Sequence, residues 1–517
     1  MMARLFGWLA AAVFVVQPLA AQAAPGAPVP PRPDAVGTGA PAGDPFAACK
    51  ALKDVDFSLT KDAPSLIVNA TAQQATSEYP AMCVVNGRIA PTIGYRMWLP
   101  LTTWNGKFAQ GGCGGRCGDI LDDGCQVVVS RGYACLAADL GHKGTFYDDL
   151  WAIDNVLGDI DFGFRATHVA NITGKAVTEA FYGKKPRYSY YFGASTGGRQ
   201  GLVSAQNFPE DFDGIVAGEP AMGTPGAAHP EVGPALYGNV ASLHEDGKPI
   251  ISPDDVMLLH TSALARCDMD DNAKDGIISD PRRCSFKPAQ LLCQGDKTAT
   301  CLTAKQVAVL ERIYANGPMP GSEPAWFGAY IGKDGSAGRY VWKMKNPYKY
   351  PYAWIFNDAT NPDLRAFKAK GGKLILYQGW ADEATYPANP VNYYETVENL
   401  MGGRAKTQDF FRLFMIPGES HIPATAGGAE TVDYLSYLEA WVERGEAPDV
   451  LLAQKMKTLA RFAGPVTYAQ YLKDDNVAFS RPVYPYPVQV RYTGKGDVND
   501  AANWRPFTPK PLPNPVH

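Results

Sequence analysis

Between Tyr190 and Gly201 the chain reads YYFGASTGGRQG, and at its centre Gly193-Ala194-Ser195-Thr196-Gly197 sets a serine two residues from a glycine on either side. Small residues at those positions let the backbone turn tightly with the serine at the tip, so that Oγ is presented to substrate. Aromatic, strand-forming residues precede the turn and a segment of helical character follows it, the setting in which such a serine acts as a nucleophile. The next backbone amide, that of Thr196, would then lie at a helix N-terminus and stabilise an oxyanion. The pentapeptide alone also occurs as a plain glycine turn; the strand and helix around it favour the nucleophile.

A serine needs a base, and the chain has seven histidines: His142, His168, His229, His244, His260, His421 and His517. His421 stands in FFRLFMIPGESH, directly after a run that reads as a buried strand, where a base can reach the nucleophile. In LILYQGWADEATYP another such run ends in Asp382, with Glu383 beside it. Asp382 lies closer to the strand end and is the first choice to orient the imidazole and stabilise its cation. Serine, then acid, then histidine is the chain order of α/β-hydrolases. The bland alternatives are a turn aspartate at Asp382 and a satisfied surface histidine at His421. A second oxyanion donor is expected from the glycine-rich AQGGCGGRCG, at Gly111 or Gly112.

A separate cluster, CDMDDNAKDGIISDPRRC, crowds Asp268, Asp270, Asp271 and Asp275 into one loop ending at Gly276. Carboxylates so close repel unless solvent or a cation neutralises them, and hard oxygen donors are what calcium selects. The spacing is not that of an EF-hand, and a solvated acidic turn is the competing reading. A bridge between the flanking Cys267 and Cys284 would order the loop in advance.

The elements that must position these residues follow from the pattern around them. Buried-strand runs at Gly106–Gly112, Gly132–His142, Tyr188–Phe192 and Phe212–Pro220, and segments of a buried strand followed by a loop at Gly371–Pro387 and Phe410–His421, alternate with helical stretches at Arg165–Gly183, Gly197–Phe208 and Ala429–Pro448. That alternation predicts a parallel sheet covered by helices on both faces. Between Ala221 and Lys368 it dissolves, so the expected organisation is one α/β core, residues 46–220 and 369–517, interrupted by an inserted segment, residues 221–368. The first residues have an early Arg4, an apolar run from Leu5 to Val16 and the small-x-small ending Ala21-Gln22-Ala23. This predicts an export signal over residues 1–23, too short for a membrane span, followed by a Pro/Ala-rich linker over 24–45. With 48 Lys+Arg against 52 Asp+Glu the chain offers no basic field for nucleic acid. Export also makes the ten cysteines, an even set, read as disulfides. Zinc at Cys113 and Cys117 is disfavoured, since no histidine or second close cysteine pair accompanies them.

Together, FGASTGGRQG, YQGWADEATYP, GESH, CDMDDNAKDGII and the C-terminal SRPVYPYPVQVRYTGKGDVNDAANW resemble the tannase and feruloyl esterase family from about Cys49 to Trp504. The resemblance implies an α/β-hydrolase core with a large inserted lid domain, and a catalytic triad of Ser195, Asp382 and His421. It implies structural calcium in the lid, held by the side chains of Asp268, Asp271 and Asp275 and the backbone oxygens of Ala273 and Ile277, with Asp270 outside; no organic cofactor is implied. Disulfides Cys49–Cys83, Cys267–Cys284 and Cys293–Cys301 fit the family. Cys113, Cys117, Cys125 and Cys135 are left to form two further bridges, in any of three pairings. Family members carry a cysteine before the serine and another after the histidine; here Ala194 and Ile422 take those places. The site is therefore expected to lack the usual disulfide, and the C-terminal segment, with Val483, to lack its pair. The implied protein is a periplasmic or secreted serine esterase acting on small esters of hydroxycinnamic, gallic or terephthalic acids through an acyl-enzyme. Trp326, Phe327, Trp342 and Trp354 are candidates for an aromatic wall in the lid, although for each of them a place in the lid core is favoured over contact with substrate. The rivals are a secreted peptidase or amidase with the same triad and a catalytically silent binding protein on the same fold.

Overall fold

The computed structural model describes residues 31, 37–77, 79–145, 150–222, 250–315, 317, 319–330, 358–421, 427–458 and 476–512. The signal, most of the linker, His229, His244, His517, Trp342, Trp354, Ile422 and the side chain of Phe327 lie outside these residues.

A nine-stranded sheet organises the core. Strands β1 (Ser65–Gln73), β2 (Met82–Ile89) and β3 (Ile93–Pro100) form an antiparallel meander at one edge. Beyond it come β4 (Lys107–Gly111), β5 (Ala134–Ala138), β6 (Tyr188–Ala194), β7 (Gly214–Gly218), β8 (Lys373–Gly379) and β9 (Phe411–Ile416). The order across the sheet is β1-β2-β3-β5-β4-β6-β7-β8-β9, with β3 antiparallel to β5 and all later pairs parallel. The parallel strands are buried on both faces, which is why they read as near-continuous apolar runs rather than alternating ones. The meander had no counterpart in the sequence reading.

One buried cluster packs Val169, Val177, Leu202 and Val203 against one face of the sheet. A second packs Val127, Val128, Leu435, Leu438 and Trp441 against the other. The helix Ala166–Tyr182 ends at Gly183, whose φ of 71° is the left-handed conformation that lets the chain leave the helix. The helix expected over Ala429–Pro448 is confined to Tyr434–Arg444. Its start is displaced because the Thr431 amide and carbonyl pair with Gln454, and Asp433 then caps the first turn through the Ser436 amide.

The described residues between 250 and 330 have a small core of their own, built on the helices Pro253–Cys267 and Ala304–Ala315. Trp326 is fully buried in that core, so it belongs to the packing of the insertion and not to a substrate wall. Toward the C-terminus, β10 (Leu451–Met456) pairs with β11 (Val477–Val483), and β12 (Gln489–Tyr492) with β13 (Trp504–Phe507). Val490 and Trp504 pack on Ala273, and Arg481 reaches Asp275 at 2.7 Å, so the end of the chain braces the acidic loop.

All ten cysteines are paired, as Cys49–Cys83, Cys113–Cys117, Cys125–Cys135, Cys267–Cys284 and Cys293–Cys301. The pairing left open in the sequence is resolved by the fold. Cys125 lies on the helix Asp123–Ser130 and packs over Cys135 of β5, while Cys117 turns back onto Cys113.

Candidate active site

Ser195 occupies the turn between β6 and the helix Thr196–Asn207, with φ 61° and ψ −121°. A non-glycine residue holds positive φ only when its surroundings enforce it. Here the Ser195 amide donates to the Gly218 carbonyl at 2.9 Å, and the Ala221 amide donates to the Ser195 carbonyl at 3.0 Å. Neighbouring glycines make room: a Cβ on Gly198 would come within 2.1 Å of the Gly218 oxygen, and one on Gly193 within 2.8 Å of the Gly197 backbone. The Ser195 side chain does not cap the helix, and the residue is half-buried while Thr196 to Gln200 are buried. The turn thus spends its constraints on presenting Oγ.

Asp382 follows β8 and is 2 % exposed. Its Oδ1 accepts from the amides of Ala384 at 2.8 Å and Thr385 at 2.7 Å. Its Oδ2 accepts from Thr385 Oγ1 at 2.7 Å and Gln378 Nε2 at 2.8 Å, and lies 3.0 Å from His421 Nδ1. Glu383 has a different place from the one weighed for it: its Oε2 accepts the backbone amide of His421 at 3.0 Å. The loops after β8 and β9 are also tied directly, by the Ala381 amide donating to the Glu419 carbonyl at 2.9 Å. A Cβ on Gly379 would come within 2.3 Å of that same carbonyl, so the loops can approach this closely only over a glycine.

Two further carboxyls, which the sequence did not point to, lie behind this pair, Glu219 at the imidazole and Glu419 close enough to act on Glu219. Glu219 directly follows β7 and places Oε2 3.5 Å from His421 Nδ1. Glu419 stands two residues before His421 and is buried. The available signal was position: each immediately follows or flanks a strand end that carries the chemistry. Burial alone would lower the pKa of His421, but Asp382, Glu219 and Glu383 outweigh it and push it up to about 10. Burial, reinforced by Asp382, pushes the Glu383 carboxyl up to about 7, and burial with neighbouring acids holds Glu219 and Glu419 well above the carboxylate range.

The expected second oxyanion donors need correction. The Gly112 amide donates to the Phe192 carbonyl at 2.9 Å, and Gly111 is paired with Ala137 and Phe192 in the ladder, so the sheet engages this backbone. What reaches the Ser195 turn is the next stretch: Thr196 Oγ1 donates to the Gly115 carbonyl at 2.6 Å, and the Cys113 amide to Gln200 Oε1 at 3.1 Å. Thr196 itself is the first residue of its helix, where the amides have no partner within the helix. The expectation that the site lacks the usual disulfide needs amending too: Ala194 offers no thiol, but Cys113–Cys117 closes this same loop against the turn, so the site is not without a disulfide.

In the acidic loop Asp268 and Asp271 are buried, Asp270 is exposed, and Asp275 lies close enough to repel both buried carboxyls. Asp268 Oδ1 accepts the Gly276 amide at 3.0 Å, and Asp271 Oδ1 that of Ala273 at 2.9 Å. Burial pushes Asp271 up to about 6. A cleft of about 280 Å³ separates this side of the insertion from the core, lined by Ile277, Ile278 and His260 on one side and Trp380, Ala381 and Gly418 on the other.

Strand order and the strand ends on which Ser195, Asp382 and His421 fall define an α/β-hydrolase-type fold. An uncharacterised esterase of Xanthomonas campestris is 32% identical to the chain, over 88% of this chain and 89% of its own length. The mono(2-hydroxyethyl) terephthalate hydrolase of Piscinibacter sakaiensis is 29% identical over 89% and 91% of the two chains. The crystal structure of feruloyl esterase B from Aspergillus oryzae matches with a TM-score of 0.74 and 25% identity, over 90% of this chain and 100% of that one. The chain belongs to the tannase and feruloyl esterase family, which it matches over residues 75–355 and 339–506, and is a carboxylic ester hydrolase.

Proposed function

We propose that the protein hydrolyses esters of aromatic acids through Ser195, His421 and Asp382. The observation that carries this reading is the 3.0 Å contact between Asp382 Oδ2 and His421 Nδ1 at the sheet end where Ser195 sits on its constrained turn. Asp382 fixes the tautomer in which Nδ1 bears the proton, leaving Nε2 to act as base. Ser195 Oγ attacks the ester carbonyl and gives its proton to Nε2; the tetrahedral oxyanion is stabilised by the Thr196 amide and a second donor from the loop closed by Cys113–Cys117. Collapse breaks the bond to the alkoxy oxygen, which leaves as an alcohol with the proton from Nε2. Water, deprotonated by the same nitrogen, then releases the acid. The aromatic preference rests on the relatives, which include feruloyl esterases and a hydrolase of a terephthalate ester.

Calcium in the acidic loop is part of the same reading. The buried pair Asp268 and Asp271, repelled by Asp275, is an oxygen-rich set whose charge a hard dication would neutralise, with the backbone oxygens of Ala273 and Ile277 as further donors. Its place is structural, since the loop belongs to the insertion. Export to the periplasm or medium is supported by the signal-like N-terminus and by the full pairing of the cysteines. No helix among the described residues is long and apolar enough to cross a membrane. The test is a panel of aromatic esters and matched amides, comparing the wild type with Ser195→Ala: esters turned over, amides not, and hydrolysis lost in the variant.

A further inference from the structure

We propose that Glu219 is a second positioning acid for His421, facing the same ring nitrogen as Asp382 from the end of a different strand. The inference rests on the triad proposed above and deepens it. One atom each from Glu219, Asp382 and His421 all lie within 4.8 Å of one another, and Glu219 Oε2 is 3.5 Å from Nδ1. The side chain is aimed there by its backbone. Glu219 has φ 42°, a left-handed value unusual for glutamate, and is pinned by its amide donating to Tyr377 O at 2.8 Å and its carbonyl accepting from Thr385 Oγ1 at 3.3 Å. The residue is 4 % exposed, and no donor among the described residues reaches its Oε1. A buried carboxyl with an unpartnered oxygen is costly, and such strain is kept where function uses it.

The groups facing Glu219 come from three sides. Asp382 and Glu383 stand on the loop after β8 and Tyr377 on that strand; Glu419 and His421 stand on the loop after β9; Tyr434 approaches from its helix. Four donors converge on Asp382, while burial and the neighbouring acids hold the Glu219 carboxyl well above the carboxylate range. Glu219 Oε2, 3.5 Å from Nδ1, limits the movement of the ring. When Asp382 is replaced by Asn, the Glu219 carboxylate takes the Nδ1 proton's hydrogen bond and keeps the ring in its working tautomer.

The experiment measures kcat/KM against pH on one soluble aromatic ester for wild type, Glu219→Gln, Asp382→Asn and the double variant, with thermal melting to confirm folding. The expected result is a loss of about threefold in Glu219→Gln, about 10- to 100-fold in Asp382→Asn, and about 10⁴-fold in the double variant, the size of loss seen when an imidazole has no acid. In Asp382→Asn the activity still rises with pH through a value above that of an ordinary histidine. In the double variant that limb falls, because burial then acts on the imidazole with only Glu383 of the three acids left to oppose it. Glu219→Asp, shorter by one methylene, gives the same answer in the Asp382→Asn background if the Gln variant does not fold. A loss of about 10⁴-fold in Asp382→Asn alone, with nothing added by Glu219→Gln and no shift in the limb, overturns the role of Glu219 while leaving the triad standing. Full activity in Asp382→Asn together with the double variant would instead overturn the triad.

Discussion

His421, its side chain 10 % exposed, stands beside Asp382, Glu219 and Glu383, and its environment decides its protonation more than its own chemistry does. As a base it must be neutral to accept the Ser195 proton. Because the surrounding acids raise its pKa against the opposing effect of burial, the neutral form appears only at higher pH than for an ordinary imidazole. The acid limb of kcat/KM is therefore expected well above about 6.5, with activity still rising into the alkaline range. A pH series on a soluble ester checks this; a limb at or below that value would contradict the arrangement. Ser195, Asp382 and His421 were legible because each is announced by local sequence: a glycine-flanked turn, or the residue after an apolar run. Glu219 and Glu419 were not, although each stands at an equally marked place. Their meaning depends on three strand ends distant in sequence meeting around one ring, and no local pattern reports that.

At the scale of elements, the parallel strands were readable from their unbroken apolar runs, but β1 to β3 were not assigned. There, alternation is interrupted: β1 is half-exposed and shifts register between Ile67 and Asn69. Gly111 and Gly112, at the glycine-rich end of a strand run, were expected to offer a free amide to substrate, whereas the neighbouring strands engage their backbone. The loop from Cys113 to Cys117, with its two cysteines four apart in sequence, lies on the Ser195 turn. Replacing Cys113 and Cys117 together by alanine is expected to lower kcat/KM about tenfold, since small displacements of the loop that lies on the nucleophile turn are costly. The corresponding replacement of Cys293 and Cys301, in the insertion, removes a comparably short loop closure and is expected to change the melting temperature without that loss of activity. Steady-state kinetics and melting curves on the two pairs separate the effects; equal losses of activity would contradict the assignment.

For the whole molecule, the break in strand–helix alternation set the expected insertion at residues 221–368, of which the described part between 250 and 330 has a core of its own, but it gave no sign of how that part is anchored. Arg481 and the residues around Trp504 hold the acidic loop from the far end of the chain, a long-range contact that spacing cannot show. The loop joins insertion to core, so a cation there acts on global stability. Chelation of calcium is expected to lower the melting temperature, by the equivalent of about 2.7 kcal/mol if the ion had been present at about a hundred times its Kd. Added calcium should restore it, and Asp271→Asn should abolish the response. A melting curve indifferent to chelator and to calcium would contradict the calcium reading.

Hydrolysis of aromatic esters by the wild type and by Ser195→Ala under identical conditions decides whether Ser195 is the nucleophile. Turnover by the wild type and a fall of at least about 10⁴-fold in the variant are expected, with matched amides left intact by both. Ester hydrolysis that survives the loss of Ser195 would contradict that role.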